Sequence, residues 1–181
     1  SKNTELFDLH LKSFLDCLIP ERKSVIYQIP FGQMYKSLID HTGDIYRSPP
    51  FIKIFIDRFK DLPGVNFSDR EKTLNAVSQY AKSIKDFHET VGGWSVVHLF
   101  TQELPTLAAN QSYLHEKLIA ECNEILSDEL KSVVQVILLD LGAELASYDG
   151  SSFDPRLEFI GRFPFSDGFS SYLAHRWASL V

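Results

Sequence analysis

The sequence contains only two cysteines in 181 residues, which is too few for a small disulfide-stabilised scaffold. Neither Cys17 nor Cys122 belongs to a Cys-x-x-Cys pair, so neither zinc binding nor dithiol redox chemistry is indicated. Both cysteines fall on the apolar faces of predicted helices, which predicts buried free thiols. Free thiols are typical of a reducing compartment, and the sequence therefore predicts a cytoplasmic protein.

Positive charge and long apolar runs are also scarce. Eighteen Lys and Arg residues face 24 Asp and Glu residues, and the net charge is -6. A chain of this charge without a basic run is not expected to bind nucleic acid, which requires phosphate neutralisation. The most apolar stretch, Val133–Leu141, includes Gln135 and Asp140. It is far shorter than the roughly 20 residues that cross a bilayer, so we expect no membrane partner.

Several motifs that would carry chemistry are missing. The sequence has no Walker-type glycine loop, no G-x-G-x-x-G and no H-E-x-x-H. None of its six histidines has a glutamate three residues before it, as helical di-iron proteins require, so no metal centre is predicted. The segment 93–97 matches a serine-hydrolase nucleophile elbow except at its last position, and it lies at a predicted helix start without a preceding strand, so serine-hydrolase chemistry is not expected. Whether the chain is an enzyme stays open at this point.

The composition is that of a globular protein, with 44% hydrophobic, 13% aromatic and 23% charged residues. Its length predicts one domain over residues 1–181. Apolar residues recur mainly at steps of three and four, with breakers between the segments, and no repeat is visible. These observations predict an all-α, single-domain bundle of seven or eight helices.

The best-defined helices have clear ends. One begins near Leu6 and stops near Pro20, because proline interrupts a helix. Another begins at a capping box formed by Ser68 and Glu71, and it ends at Gly92-Gly93. A final helix is predicted over 170–180.

Three other segments are assigned to helices on less direct grounds. Phe51–Leu62 contains strand-like residues, but its polar positions have helical spacing, which favours a helix. Trp94–Glu103 is assigned to a helix that ends before Pro105. Residues 129–146, after a start signal at Ser127, are apolar on most sides in their middle, which is typical of a helix packed on several sides. We expect this segment to be the central helix.

Three residues are candidates for a ligand pocket. On helical geometry, His88 and His115 point inward and Asp140 interrupts the most apolar helix. The first functional hypothesis is a pocket between helices for an aromatic or apolar small molecule, with haem as a possible cofactor, in which a histidine is the polar or axial contact. Two alternatives without a ligand stay open. The histidines could be core residues whose ring nitrogens are hydrogen-bonded, and Asp140 could lie at the solvent-exposed edge of its helix.

The second functional hypothesis is a protein-interaction or regulatory module. An exposed aromatic surface formed by Trp94, Phe163, Phe165 and Trp177 would dock a partner protein. The 14 phenylalanines, seven tyrosines and two tryptophans could equally fill a core. Among the remaining histidines, helical angles place His98 and His175 toward solvent.

Overall fold

The structure is a computed structural model, and it describes residues 4–18, 25–26, 29, 33–101, 109–154, 156 and 165–180. Seven α-helices form within these residues: α1 (Thr4–Leu18), α2 (Met34–Ile39), α3 (Asp44–Arg47), α4 (Arg70–Val91), α5 (Ala109–Leu130), α6 (Leu141–Ser147) and α7 (Asp167–Ala178). Three strands lie between them: β1 (Ile52–Phe55), β2 (Trp94–Leu99) and β3 (Val136–Asp140).

The three strands form one parallel sheet in the order β1-β2-β3, with α4 connecting the first pair and α5 the second. In the central strand, Val96 is opposite Ile54 on one side and Ile137 on the other. The all-α prediction is therefore wrong: the chain is an α/β protein built on a β-α-β-α-β unit. Parallel strands need long crossover connections, which is why the helical segments dominate the sequence.

All three strands had been assigned to helices. The predicted central helix over 129–146 is instead the end of α5, a turn, β3 and α6. Residues 51–62 contain β1 and a short 3-10 helix, and residues 94–99 form β2. The physical reason is shared: strands of four to six mostly apolar residues are too short for periodicity to distinguish them from a turn of a buried helix. Ser127 lies inside α5 and begins no helix.

The predicted ends of α4 are close to the observed ones. The helix begins one residue later than the capping box indicates, with Asp69 as N-cap accepting a hydrogen bond from the Lys72 N–H at 3.0 Å. It ends at Gly92 and Gly93, whose φ angles of 70° and 74° are in the region that glycine adopts without strain. A Cβ on Gly93 would lie 2.6 Å from the Phe51 carbonyl oxygen, so only glycine fits where β2 begins beside β1.

The chain forms two compact units, one of residues 32–142 and one of residues 1–31 with 143–181. In the first unit, α4 and α5 pack together, and the buried core includes Phe55 and Val97 from the sheet, Val77 and Ile84 from α4, and Leu126 from α5. The prediction of a single domain stays a prediction.

In the second unit, α1 packs against α7. His10 Nε2 lies 2.8 Å from Asp167 Oδ1. The buried Glu144 accepts hydrogen bonds from the Tyr172 hydroxyl at 2.7 Å and from the Arg176 guanidinium at 3.1 Å. These contacts tie α6 to α7 within this unit.

Both cysteines are free, as predicted, but only Cys122 is buried, whereas Cys17 is exposed on α1. Burial raises the pKa of the Cys122 thiol to about 12, so this thiol stays protonated at neutral pH. None of the helices in the described ranges combines the length and apolar character that a bilayer crossing needs.

Candidate active site at the carboxyl edge of the sheet

A polar side chain lies at or just after the carboxyl end of each of the three strands. Asp57 comes two residues after β1, Thr101 two residues after β2, and Asp140 is the last residue of β3. Because the strands are parallel, their carboxyl ends lie at one edge of the sheet. In open α/β sheets this edge is where ligands bind. A ligand site of this chain is therefore expected at the same edge.

Asp57 makes the most informative contact at this edge. Alternation along β1 places Lys53, Phe55 and Asp57 on one face, and α4 covers that face. The Tyr80 hydroxyl of α4 donates a hydrogen bond to Asp57 Oδ2. Phe87, two turns after Tyr80, lies beside Lys53 at the other end of the strand. The helix and strand together hold Asp57 against a buried phenol.

Burial raises the pKa of Asp57 to about 6, and the negative charge of Asp61 adds to the increase, while the hydrogen bond from Tyr80 opposes it. Burial, together with the Asp57 carboxylate, raises the pKa of Tyr80 well above 10. The Phe100 ring packs 6.1 Å from Tyr80 and 5.3 Å from Phe59. These rings make the surroundings of the Tyr80 ring apolar.

The cation next to this carboxyl is engaged by another acid. Arg58 Nε lies 3.7 Å from Asp61 Oδ2, within the turn that follows β1. Arg58 therefore forms an ion pair with Asp61. A carboxyl that exchanges its proton near neutral pH is suited to general acid–base chemistry.

A second polar cluster occupies the opposite, amino edge of the sheet. His88 Nε2 donates to the Val134 carbonyl at 2.9 Å, because a carbonyl only accepts, and Nδ1 therefore accepts from the Ser95 hydroxyl at 2.8 Å. Burial lowers the pKa of His88, so the ring is neutral at pH 7. Lys53 donates to the Gly92 carbonyl at the end of α4. This cluster borders an open groove of about 460 Å³.

The three residues predicted to form a ligand pocket do not come together. His88 is a core histidine with both ring nitrogens satisfied at the amino edge, whereas Asp140 is exposed at the carboxyl edge. His115 stacks on Phe67 with ring centroids 4.1 Å apart. No pair of these residues could hold the two sides of one haem, and the aromatic rings pack against one another. The hypothesis of an aromatic or haem pocket is therefore wrong.

The predicted aromatic docking surface is also not formed. Phe165 and Trp177 are buried, with 5% and 3% of their surface exposed, and Trp94 is half-buried at the start of β2. Phe163 lies outside the described residues. The rings that were expected to be exposed pack inward, as Phe165 does against Phe169 at 5.1 Å. The interaction module that depended on them is not supported.

His98 was expected to face solvent, but it is buried in β2, with 3% of its surface exposed. Burial lowers the pKa of His98 to about 3, so the ring is neutral. The error follows from the helical angle applied to a strand: with a period of two, His98 lies on the same face as the buried Val96. His175 is exposed on α7, as predicted.

Comparisons with known proteins identify the fold but no family. No protein-family model matches the sequence, and no curated protein is similar to it. A solved structure is similar: the N-terminal part of the protein BF1531 from Bacteroides fragilis, which contains a phosphatase domain and is complexed with Mg. The TM-score is 0.73 at 14% sequence identity, over 96% of this chain and 47% of that one. This chain thus spans about half of that structure, and the likeness shows a shared α/β fold.

The described residues do not fit a magnesium ion. They contain no group of three or more His, Cys, Asp or Glu residues that could hold a metal. Asp57 and Asp140 follow the two outer strands, with β2 between them.

Sequence reasoning singled out Asp140 but missed Asp57, Tyr80 and Thr101. Asp57 is one of the polar positions whose helical spacing led to the assignment of Phe51–Leu62 to a helix. The sequence carries a usable signal: Ile52–Ile56, which is apolar except for Lys53, and the apolar run Val136–Leu139 each end directly in an aspartate. An apolar run of strand length followed by a carboxylate is the pattern expected at the carboxyl end of a buried parallel strand.

Proposed function

We propose that this chain is a hydrolase-type α/β domain that acts on a small, uncharged polar substrate at the carboxyl edge of its sheet. Asp57 is the general base, and the reaction needs no divalent cation. The observation that carries this proposal is the hydrogen bond from Tyr80 to Asp57, a carboxyl at the end of β1 whose pKa is about 6. A perturbed carboxyl at the edge where α/β proteins bind ligands is a candidate catalytic group.

The chemistry follows from that pair. At pH 7 the Asp57 carboxyl is mostly ionised, and it is more basic than an ordinary aspartate. It takes a proton from a water molecule as the oxygen of that water attacks the carbonyl carbon of an ester. The bond between this carbon and the alcohol oxygen then breaks, and Asp57 returns the proton to the departing alcohol, which leaves the carboxylic acid as the second product. Tyr80 is itself a very weak acid in this setting, so its proton stays on the phenol and holds Oδ2 in place.

The charges at this edge favour an uncharged substrate. Phosphoryl transfer relies on cations that neutralise the transferring group. Across the described residues no metal group is present, and Arg58 is paired with Asp61. The phosphatase domain and the Mg belong to the similar structure, of which this chain matches 47%. A neutral ester, with no charge to stabilise before the reaction, suits these residues better.

The test is hydrolysis of p-nitrophenyl acetate in EDTA between pH 4.5 and 8. We expect kcat/KM to rise with pH around a midpoint near 6, and Asp57→Asn to lower it about 100-fold. Asp61→Asn is the matched control: it keeps the activity but lowers the midpoint, because Asp61 contributes to the raised pKa of Asp57. Equal rates for Asp57→Asn and the wild type would contradict the proposal. So would Mg²⁺-dependent hydrolysis of p-nitrophenyl phosphate that far exceeds ester hydrolysis.

A cytoplasmic location and the absence of a nucleic-acid partner stay part of this proposal. They are supported by the two free thiols and by the net charge of -6.

A further inference from the structure

The residue that follows β2 is paired with a side chain instead of a strand. The Phe100 N–H donates to Asn123 Oδ1 at 2.8 Å, and Asn123 Nδ2 donates to the Phe100 carbonyl at 2.8 Å. Both hydrogen bonds have the length of ordinary backbone pairs. One amide on α5 thus satisfies both backbone groups of Phe100, as a neighbouring strand would, and it fixes where this residue lies.

The Phe100 side chain carries this constraint to Asp57. Phe100 is buried, and its ring centroid lies 6.1 Å from that of Tyr80 and 5.3 Å from that of Phe59. Tyr80 donates the hydrogen bond to Asp57 Oδ2, and Phe59 comes two residues after Asp57, in the short 3-10 helix that follows β1. Phe100 therefore packs against the hydrogen-bond partner of Asp57 and against the segment that follows Asp57.

Asparagine is an unfavourable residue at position 123 unless its amide is used. Asn123 is half-buried on α5, and three residues at helical spacing from it, Ile119, Leu126 and Leu130, are buried. This spacing places Asn123 on the apolar stripe of the helix. Leucine would favour both the helix and the core more than asparagine does. The two hydrogen bonds to Phe100 are what the asparagine adds.

We propose that Asn123 is a positioning residue for Asp57: by fixing Phe100, it keeps the Tyr80 hydroxyl in the direction that donates to Asp57 Oδ2. This inference rests on the proposed function, in which Asp57 is the general base. Asn123 itself is not a catalytic residue, because its amide is bonded to the Phe100 backbone. Neither Asn123 nor Phe100 titrates, so they act on the carboxyl through arrangement and not through charge.

The arrangement has a measurable consequence for Asp57. Burial raises the pKa of Asp57, the hydrogen bond from Tyr80 lowers it, and the charge of Asp61 raises it. When Phe100 is no longer fixed, the Tyr80 ring can move, and its hydrogen bond to Asp57 is made less often. The pKa of Asp57 therefore rises when Asn123 is replaced by a side chain that cannot bond to Phe100. Tyr80→Phe removes the hydrogen bond altogether and sets the upper limit of this rise.

The test is a titration that does not depend on activity. The pKa of Asp57 is measured from its carboxyl ¹³C signal in the full chain labelled with ¹³C-aspartate. We expect Asn123→Leu to raise this pKa by about 0.5 and Tyr80→Phe to raise it by about 1. Asn123→Leu added to Tyr80→Phe should raise it no further, because the hydrogen bond through which Asn123 acts is already gone. Asn75→Leu, the same substitution at an exposed position of α4, should leave it unchanged.

Two outcomes would overturn the proposal. The first is an unchanged or lowered Asp57 pKa in Asn123→Leu. The second is an equal effect of Asn123→Leu with and without Tyr80→Phe. Either result would show that Asn123 only completes the backbone pairing after β2. If the amide signals of Asn123→Leu show that it does not fold, Asn123→Ser takes its place, because serine is too short to make both hydrogen bonds; the same two outcomes then decide.

Ester hydrolysis separates this inference from the proposed function. If both are right, Asn123→Leu raises the midpoint of the pH dependence of kcat/KM together with the Asp57 pKa and leaves KM unchanged. A raised pKa in Asn123→Leu without any Asp57-dependent hydrolysis would support the positioning of Asp57 and remove the proposed reaction. Asp57-dependent hydrolysis with the wild-type midpoint in Asn123→Leu would do the reverse.

Discussion

Burial shifts the pKa values of Asp57 and His98 in opposite directions, toward the neutral form of each side chain. The pKa of Asp57 is about 6, above its ordinary value, and that of His98 is about 3, below it. In both cases loss of hydration penalises the charged form. For each side chain, folding stability therefore depends on pH between the pKa of the unfolded state and the pKa of the folded state.

For Asp57, the folded-state pKa lies above the unfolded value of 3.8. Its contribution to stability is complete below pH 3.8 and is lost as the pH rises through about 6. We expect the wild type to lose about 2 kcal/mol relative to Asp57→Asn between pH 4 and 7, measured by urea denaturation. Tyr80→Phe is the comparison, because loss of its hydrogen bond raises the Asp57 pKa further. Parallel stability curves for the wild type and Asp57→Asn would show that this carboxyl is not buried.

For His98, the folded-state pKa lies below the unfolded value of 6.5, so stability is complete above pH 6.5 and is lost as the pH falls through about 3. His98→Gln should shift the midpoint of acid unfolding to lower pH, as followed by circular dichroism. His98→Ala at pH 7 should cost about 2–4 kcal/mol through the cavity that it leaves. His175→Ala is the exposed control, and we expect it to cost less than about 1 kcal/mol. Equal costs for the two histidines would place His98 at the surface.

At the scale of the elements, the sequence predicts helices well and strands poorly. α4 and α7 have polar and apolar faces and capping residues, Asp69 and Ser166, that mark where they begin. The strands have none of these marks. β3 is apolar at four of its five positions, and its burial depends on pairing with β2, which lies before α5 in the sequence. Periodicity cannot carry such long-range information.

The contact between β1 and the end of α4 can be tested through the pH dependence of folding stability. Burial of Lys53 lowers its pKa to about 8, and its ammonium donates to the Gly92 carbonyl. Because this pKa lies below the unfolded value of 10.5, its contribution to stability is present above pH 10.5 and is lost as the pH falls through about 8. The wild type should therefore gain stability between pH 8 and 10, and Lys53→Met should not, by urea denaturation. The exposed Lys82→Met, on α4, should follow the wild type; a gain in Lys53→Met would contradict the assignment.

At the scale of the whole molecule, composition indicated a globular acidic chain, but it did not determine the fold class. The same 44% hydrophobic content fits a helical bundle or an α/β sheet with two covering helices. The candidate site could be predicted only in part, since Asp140 stands out in an apolar run but Asp57 gains its meaning from Tyr80, 23 residues away. The fold resembles a magnesium-containing structure at 14% identity, and at that distance the chemistry follows the residues rather than the topology.

The thermal stability of the whole protein in Mg²⁺ tests whether the similar fold is accompanied by a similar metal site. A ligand that binds the folded state at 100 times its Kd stabilises it by about 2.7 kcal/mol. For a chain of this size, that would raise Tm by roughly 5–11 °C. Because the described residues contain no metal-holding group, we expect 10 mM MgCl₂ to change Tm by less than about 1 °C relative to EDTA at equal ionic strength. The same melts with Asp57→Asn and Asp140→Asn extend the test. A saturable, Mg²⁺-specific increase in Tm that either substitution removes would show a metal site at the carboxyl edge. The metal-independent mechanism would then be wrong.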